Sequence, residues 1–301
     1  IGLPEPELPA TGIRFKARLN DLSISDWTQW QQKWLKDLPE TENNDNWPAV
    51  EIELAVDNLQ FNQWVLNDVQ SKAFQRNQIW QLEIQSRQMR GNIRWPMDSA
   101  LLPTLHFDFV DLQLPAASNE TSDRKKFSSD LWPSFQLNID NLTVDGMQLG
   151  RVQARAIQQG QRWVLESASL QSAVLQANLD GVWQKNELAD NSKLNLQLTS
   201  NDLAGLFLDL GYQPAIEANQ VEVKGQFSWP DEPLNLSLAA LQGDLNLQVN
   251  NGQLVDVEPG AAGRIFGLMS FAAIPRRLSL DFSDFFGKGF AFRQISGDFQ
   301  F

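Results

Sequence analysis

Apolar and polar residues alternate with period two along most of the chain. Ile13, Phe15, Ala17 and Leu19 are separated by Arg14, Lys16 and Arg18, and Val50, Ile52, Leu54 and Val56 by Glu51, Glu53 and Ala55. The same alternation runs through Phe135, Leu137 and Ile139, through Leu194, Leu196 and Leu198, through Leu234, Leu236 and Leu238, and through Leu245, Leu247 and Val249. Successive side chains of a strand point to opposite faces. Each run therefore predicts a strand with one dry face and one face of Gln, Asn, Ser, Lys or Glu. A sheet with one wet face is the antiparallel pattern. One run changes phase: Leu105, Phe107 and Phe109 alternate, and Leu112 and Leu114 continue one residue out of step. A β-bulge near Val110 and Asp111 would restore the facing.

Helical spacing is rare. Asp26 can cap a helix through Leu38, with Trp27, Trp30, Trp34, Leu35 and Leu38 on one stripe and Pro39 behind it. A second helix is expected from Asp202 to Leu210, stopped at Gly211. A third runs from Pro259 to about Phe271, ahead of Pro275. Residues 57–86 and 140–169 align without a gap, 83 apart, and 13 of the 30 positions are identical, among them Asp57-Asn58-Leu59 against Asp140-Asn141-Leu142. Such a repeat predicts β-units stacked along one axis. The expected layout is an N-terminal strand and Trp-rich helix over residues 1–48, a first repeat over 49–115 and a polar loop over 116–133. A second repeat over 134–183 and a C-terminal region over 184–301 complete it, all as one continuous architecture.

Composition narrows the function. The net charge of −13 disfavours nucleic acid, whose phosphates are bound by clustered Lys and Arg, and disfavours adsorption to an anionic membrane surface. With no cysteine and His106 as the single histidine, disulfides, thiolate sites and multi-histidine metal sites are excluded. His106 flanks Phe107 and falls on the polar face, where a solvated imidazole is expected. No pair among the many carboxylates stands out as catalytic, so no enzyme, cofactor or metal is expected. No apolar run approaches the roughly 18–20 residues that span a bilayer.

The C-terminal third carries an ordered set of motifs. Leu241-Gln242-Gly243 leads into a strand and Asn251-Gly252-Gln253-Leu254. Val257-Glu258-Pro259-Gly260, Gly263-Arg264-Ile265-Phe266-Gly267-Leu268 and Arg276-Arg277-Leu278-Ser279-Leu280-Asp281-Phe282-Ser283-Asp284 follow. Lys288-Gly289-Phe290 and Ile295-Ser296-Gly297 close the set. Upstream, Gly181-Val182-Trp183, residues 203–212 and Phe227-Ser228-Trp229-Pro230 belong to the same pattern. This string resembles the C-terminal region of YhdP-type AsmA-like proteins, and the resemblance covers most of the chain.

The resemblance implies a mostly β fold: an elongated, twisted antiparallel sheet curled into a repeating groove, with a few short helices. It implies the periplasmic part of a protein anchored in the inner membrane of Gram-negative bacteria by a segment outside this chain. The groove would carry phospholipid towards the outer membrane, with outer-membrane or periplasmic proteins as further partners. The apolar strand faces admit two readings, a closed sandwich core or an open groove against acyl chains, and the repeat together with the resemblance favours the groove. Its candidate lining is Ile13, Phe15, Leu19, Ile52, Leu54, Val56, Phe135, Leu137, Ile139, Leu194, Leu196, Leu198, Leu234, Leu236, Leu238, Leu245 and Leu247. Gly260 and Arg264 are expected to pack the third helix on the sheet, with a phosphate headgroup at its N-terminus as the alternative. Arg276, Arg277, Asp281 and Asp284 are expected to form ion pairs that fix it. The rival function is a periplasmic scaffold with a closed β-core.

Overall fold

In a computed structural model, residues 12–24, 50–61, 64–113, 133–184, 191–209, 211, 213–214, 216–233, 236, 240–254 and 290–301 are described. They form fourteen strands, ordered in the sheet as they are ordered in the chain, and one helix. The chain divides into two compact units, Ile1–Gly146 and Met147–Phe301. The first holds β1 (Ile13–Ser23), β2 (Val50–Phe61), β3 (Trp64–Arg76), β4 (Ile79–Gln85), β5 (Met89–Pro96), β6 (Thr104–Leu112) and β7 (Phe135–Val144). The second holds β8 (Met147–Gln159), β9 (Arg162–Gln171), β10 (Leu175–Gln184), β11 (Asn191–Ser200), α1 (Leu203–Asp209), β12 (Ile216–Trp229), β13 (Gln242–Leu254) and β14 (Phe290–Gln300). Among the described residues β1 pairs only with β2, and β14 only with β13, so the sheet is open.

Most neighbours within the units are antiparallel, as the alternation predicts. Two pairs are not: β1 runs parallel to β2, and β6 parallel to β7. Alternation reports which face of a strand is dry and is blind to strand direction. Parallel neighbours need a crossover of a dozen or more residues, and the long stretches 24–49 and 113–134 provide it. The expected Trp27–Leu38 helix and most of the polar loop fall in those stretches, outside the described residues, as does the expected 259–271 helix.

The sequence repeat reappears in the elements. β3 starts and ends 83 residues before β8, and β4 starts 83 residues before β9. Both β3–β4 and β8–β9 turn through a two-residue loop opened by a left-handed residue, Asn77 at φ 51° and Gly160 at φ 61°. Such loops match the twist of the strands they join.

α1 obeys its sequence signals. The Asp202 carboxylate accepts the Gly205 N–H at 2.8 Å, an N-cap bond, and Gly211 lies just past the end at φ 76°. The phase change in β6 is a bulge at Asp108: Arg90 pairs with Phe109 but Gly91 with Phe107. It falls before the expected Val110–Asp111 position, so Phe109 leaves the apolar face and lies under the Arg90 guanidinium, 5.6 Å from its ring centroid.

Candidate functional site

Cross-strand register decides which apolar residues become neighbours. In the first unit Phe15 pairs with Ile52, Ile52 with Ala73, Ala73 with Leu82, Leu82 with Ile93, Ile93 with Leu105, and Leu105 with Leu137. Seven strands thus contribute one apolar residue each to a row that crosses the sheet. The next row is Ala17, Leu54, Ser71, Ile84, Gly91, Phe107 and Ile139. Its one polar member, Ser71, donates its hydroxyl to the Leu54 carbonyl at 3.3 Å. These rows are not a closed core. Phe15 is 58% exposed and Ile52 37%, while Leu82, Ile93, Leu105 and Leu137 are half-buried.

The buried residues of this unit form a band along one side of the rows. Val56, Leu59, Leu66 and Val69 cluster together, with Leu22 and Ile84 packed against them. Here the apolar spacing lengthens from two to three residues. Val56 is followed by Leu59, Leu66 by Val69, and Phe107 by Val110, all buried. Apart from Phe109 the skipped residues are polar, and amides at Asn58, Asn67 and Gln88 bond in a relay across the strands. Asn58 donates to Asp21 at 3.0 Å, Asn67 to Asn58 at 3.1 Å, and Gln88 to Asn67 at 2.7 Å. The step keeps the apolar residues on either side of it facing the same way. Its sequence signal is an Asn/Asp pair before Leu, in Asn20-Asp21-Leu22, Asp57-Asn58-Leu59 and Asp140-Asn141-Leu142.

The second unit repeats the arrangement and closes it at both sides. Leu179, Leu196, Gly225, Leu245 and Phe299 form one row, and Ala177, Leu198, Val223, Leu247 and Gly297 the next. On one side stands a buried row, Trp163, Trp183, Ser192 and Trp229. The Ser192 hydroxyl, on a residue 2% exposed, donates to the Asp231 carbonyl at 2.6 Å, and the Trp229 indole N–H donates to the Glu232 carbonyl at 3.0 Å. The turn after β12 is thereby folded onto the tryptophans. On the other side α1 sits on the sheet: Leu203 packs with Ala218, Val221 and Val249. Between these two walls Leu179, Leu194, Leu196, Leu198, Val223, Leu245 and Leu247 stay half-buried.

The opposite face is charged and paired. Arg14 meets Glu51 at 2.9 Å, Lys16 meets Glu53 at 3.1 Å, and Arg90 meets Asp108 at 2.7 Å. Hydrogen bonds from Lys72 and Arg14 hold the Glu51 carboxyl below its ordinary range, and the Glu51 partner raises Lys72. His106 lies on this face, its Nε2 3.7 Å from Asp108 and 3.5 Å from Asp140. These three offer ligand atoms within 4.8 Å of one another. Asp108 is already engaged by Arg90, and all three side chains are more than 40% exposed, so the cluster is a charge-paired surface group. Each unit holds one hollow, of about 690 Å³ in the first and 680 Å³ in the second, lined among others by Lys16, Glu53 and Lys72 and by Asp180, Lys224 and Asp298 respectively. Their walls mix these charged groups with apolar ones, Leu54, Leu82 and Ile93 in the first and Leu196, Leu245 and Phe299 in the second.

The sequence candidates are distributed as follows. Ile13, Phe15, Leu19, Ile52 and Leu54 share one face in the first unit with Leu137 and Phe135, while Val56 and Ile139 lie in its buried part. Leu194, Leu196, Leu198, Leu245 and Leu247 share the apolar face of the second. The alternation at Leu234, Leu236 and Leu238 predicts a strand, yet Leu236 lies in the connection between β12 and β13, more than half exposed. Leu234 and Leu238 lie outside the described residues, as do Gly260, Arg264, Arg276, Arg277, Asp281 and Asp284. Sequence reasoning missed Ser192 entirely, because a serine amid strand polars carries no sign of burial.

The sequence model of the family described as YhdP protein matches residues 2–301. The intermembrane phospholipid transporter YhdP of Escherichia coli (strain K12) is 25% identical over 181 residues, covering 60% of this chain. The chain's match spans 14% of that relative's length. No solved structure matches the chain significantly.

Proposed function

The chain belongs to the YhdP family, and from that premise we propose that its apolar sheet faces shield the acyl chains of phospholipid on their way between two membranes. The chain acts as part of a longer periplasmic protein held in the inner membrane by a segment elsewhere. The observation that carries this reading is the unbroken apolar row from Phe15 to Leu137, whose members remain half-exposed. Strands lie about 4.8 Å apart, so seven strands make a row roughly 30 Å long. One leaflet of a bilayer has about half of a hydrocarbon core of roughly 30 Å. The row is therefore longer than a lipid tail.

The energetics require no catalytic group. Each methylene taken from water is worth about 0.8 kcal/mol, so a sixteen-carbon chain crossing water bare loses on the order of 10 kcal/mol. An apolar surface alongside the path removes that barrier by non-directional contact. The amide relay and the cluster of Val56, Leu59, Leu66 and Val69 hold one margin of the face in the first unit. In the second, the tryptophan row and α1 hold both margins. Headgroups are left to water, which the open geometry permits.

The test is direct. The purified chain is extracted with organic solvent and the extract analysed by mass spectrometry. Phospholipid at a fixed ratio to protein is expected. A chain that purifies lipid-free, and takes up none from phosphatidylethanolamine vesicles, would behave as the scaffold with a closed core.

A further inference from the structure

Several glycines on the apolar faces lie beneath phenyl rings. A Cβ built on Gly225 would meet Phe227 ring carbons at 2.5 and 2.6 Å, and one on Gly297 would meet Phe299 ring carbons at 3.1 Å. In both cases every close atom belongs to the ring, and neither glycine has a left-handed φ, so an alanine backbone is allowed. Gly91 and Gly252 also lie under rings, of Phe107 and Phe292. There a Cβ would in addition strike backbone oxygens, His106 O at 2.2 Å and Glu217 O at 2.6 Å.

The first two pairs share one sequence form, Gly225-Gln226-Phe227 and Gly297-Asp298-Phe299. Residues two apart on a strand point to the same face, so each ring can fold back along its own strand onto the space the glycine leaves. The pairs flank one strand: Gly225 is opposite Leu245, and Leu245 is opposite Phe299. Val223 is opposite Leu247, and Leu247 is opposite Gly297. Both rings therefore lie in the half-buried rows between the tryptophan wall and α1. A side chain normally stands roughly perpendicular to its sheet, and a standing phenylalanine would rise into any lipid lying there.

We propose that Gly225 and Gly297 are positioning residues that lay Phe227 and Phe299 flat, so that each ring gives its face to the acyl chain and leaves the rows open. The inference rests on the lipid-shielding reading above. Phenyl faces supply broad apolar contact, and the glycines supply the clearance. Glycine inside a strand lowers its stability, and the covering ring offsets part of that cost.

Alanine at Gly225 forces the Phe227 ring to move without touching the backbone, whereas alanine at Gly297 presses the Phe299 ring away by only a few tenths of an ångström. Wild-type chain, Gly225→Ala, Gly297→Ala and the doubles Gly225→Ala/Phe227→Ala and Gly297→Ala/Phe299→Ala are compared by circular dichroism. All five are then photolabelled with phosphatidylethanolamine bearing a photoreactive acyl chain. Both single variants are expected to fold, Gly225→Ala to lose labelling and Gly297→Ala to lose a smaller part of it, and the doubles to regain it, because removal of the ring removes the obstacle. Single variants that label as wild type, or doubles that stay as low as the singles, overturn the inference and leave the lipid-shielding reading intact. Loss of fold in both singles overturns it as well, since the rings would then be fixed core. Absence of labelling in the wild type overturns the lipid-shielding reading itself, and this inference with it.

Discussion

Leu137 and Leu196 are leucines of a kind that a closed core would hide, yet both are half-buried in the middle of apolar rows. Aspartate at either position puts a carboxylate against water on a face built for hydrocarbon. Leu137→Asp and Leu196→Asp are expected to fold, with circular dichroism unchanged, and to stop lipid passage. Val56, 1% exposed in the buried cluster, behaves differently. Val56→Asp buries a charge at a cost of several kcal/mol and is expected to unfold its unit, whereas Val56→Ala loses about 2 kcal/mol through two methyl groups and a small cavity. Ser192→Ala strips the Asp231 carbonyl of its buried donor and is expected to cost about 1–3 kcal/mol in denaturant titration. If the aspartate variants still carry lipid in cells, the apolar rows are not the route.

Single elements differ sharply in what holds them. β1 is exposed along nearly its whole length and pairs on one side only among the described residues. Its charged face leans on β2 through Arg14–Glu51 and Lys16–Glu53. Hydrogen exchange should therefore find it among the least protected strands, and added salt should weaken it further. Acid acts on the same seam. The folded state lowers the Glu51 carboxyl from its ordinary value of 4.5, so its stabilising effect is complete above that value and fades as pH falls through the lower folded one. Exchange at β1 should quicken as pH falls below about 4.5 relative to an internal strand such as β4, and Glu51→Gln should weaken that pH dependence. α1, in the second unit, depends on its cap. Asp202→Ala is expected to cost about 1 kcal/mol and to expose Val221 and Val249 locally.

At the scale of the whole chain, an open apolar surface has a thermodynamic signature. A ligand that binds only the folded state raises stability by mass action. Adding phospholipid should raise the melting temperature in a concentration-dependent way, and a headgroup without tails, such as phosphoethanolamine, should not. The folded chain should also enhance the fluorescence of an apolar dye while its far-ultraviolet dichroism stays native. A melting temperature indifferent to phospholipid would argue for the scaffold. Among the described residues, fourteen strands, one short helix and charges paired on the face opposite the rows fit the proposed action by surface contact.

The sequence by itself determined the dry and wet faces, because facing along a strand is a local property of period two. It determined the repeat, since β3 and the start of β4 recur 83 positions later in β8 and β9. It also placed α1, whose Asp202 cap and Gly211 stop act within a few bonds. The tertiary structure decided what depends on partners distant in the chain. It set β1 and β6 parallel to their successors, moved the bulge to Asp108, and turned the Asn/Asp dipeptides into a relay of amides across strands. It brought Trp183 and Trp229 to either side of a buried Ser192, and lowered Phe227 onto Gly225. The physical reason is that register and strand direction are fixed by pairing free energies summed over whole ladders, which no local window of residues contains.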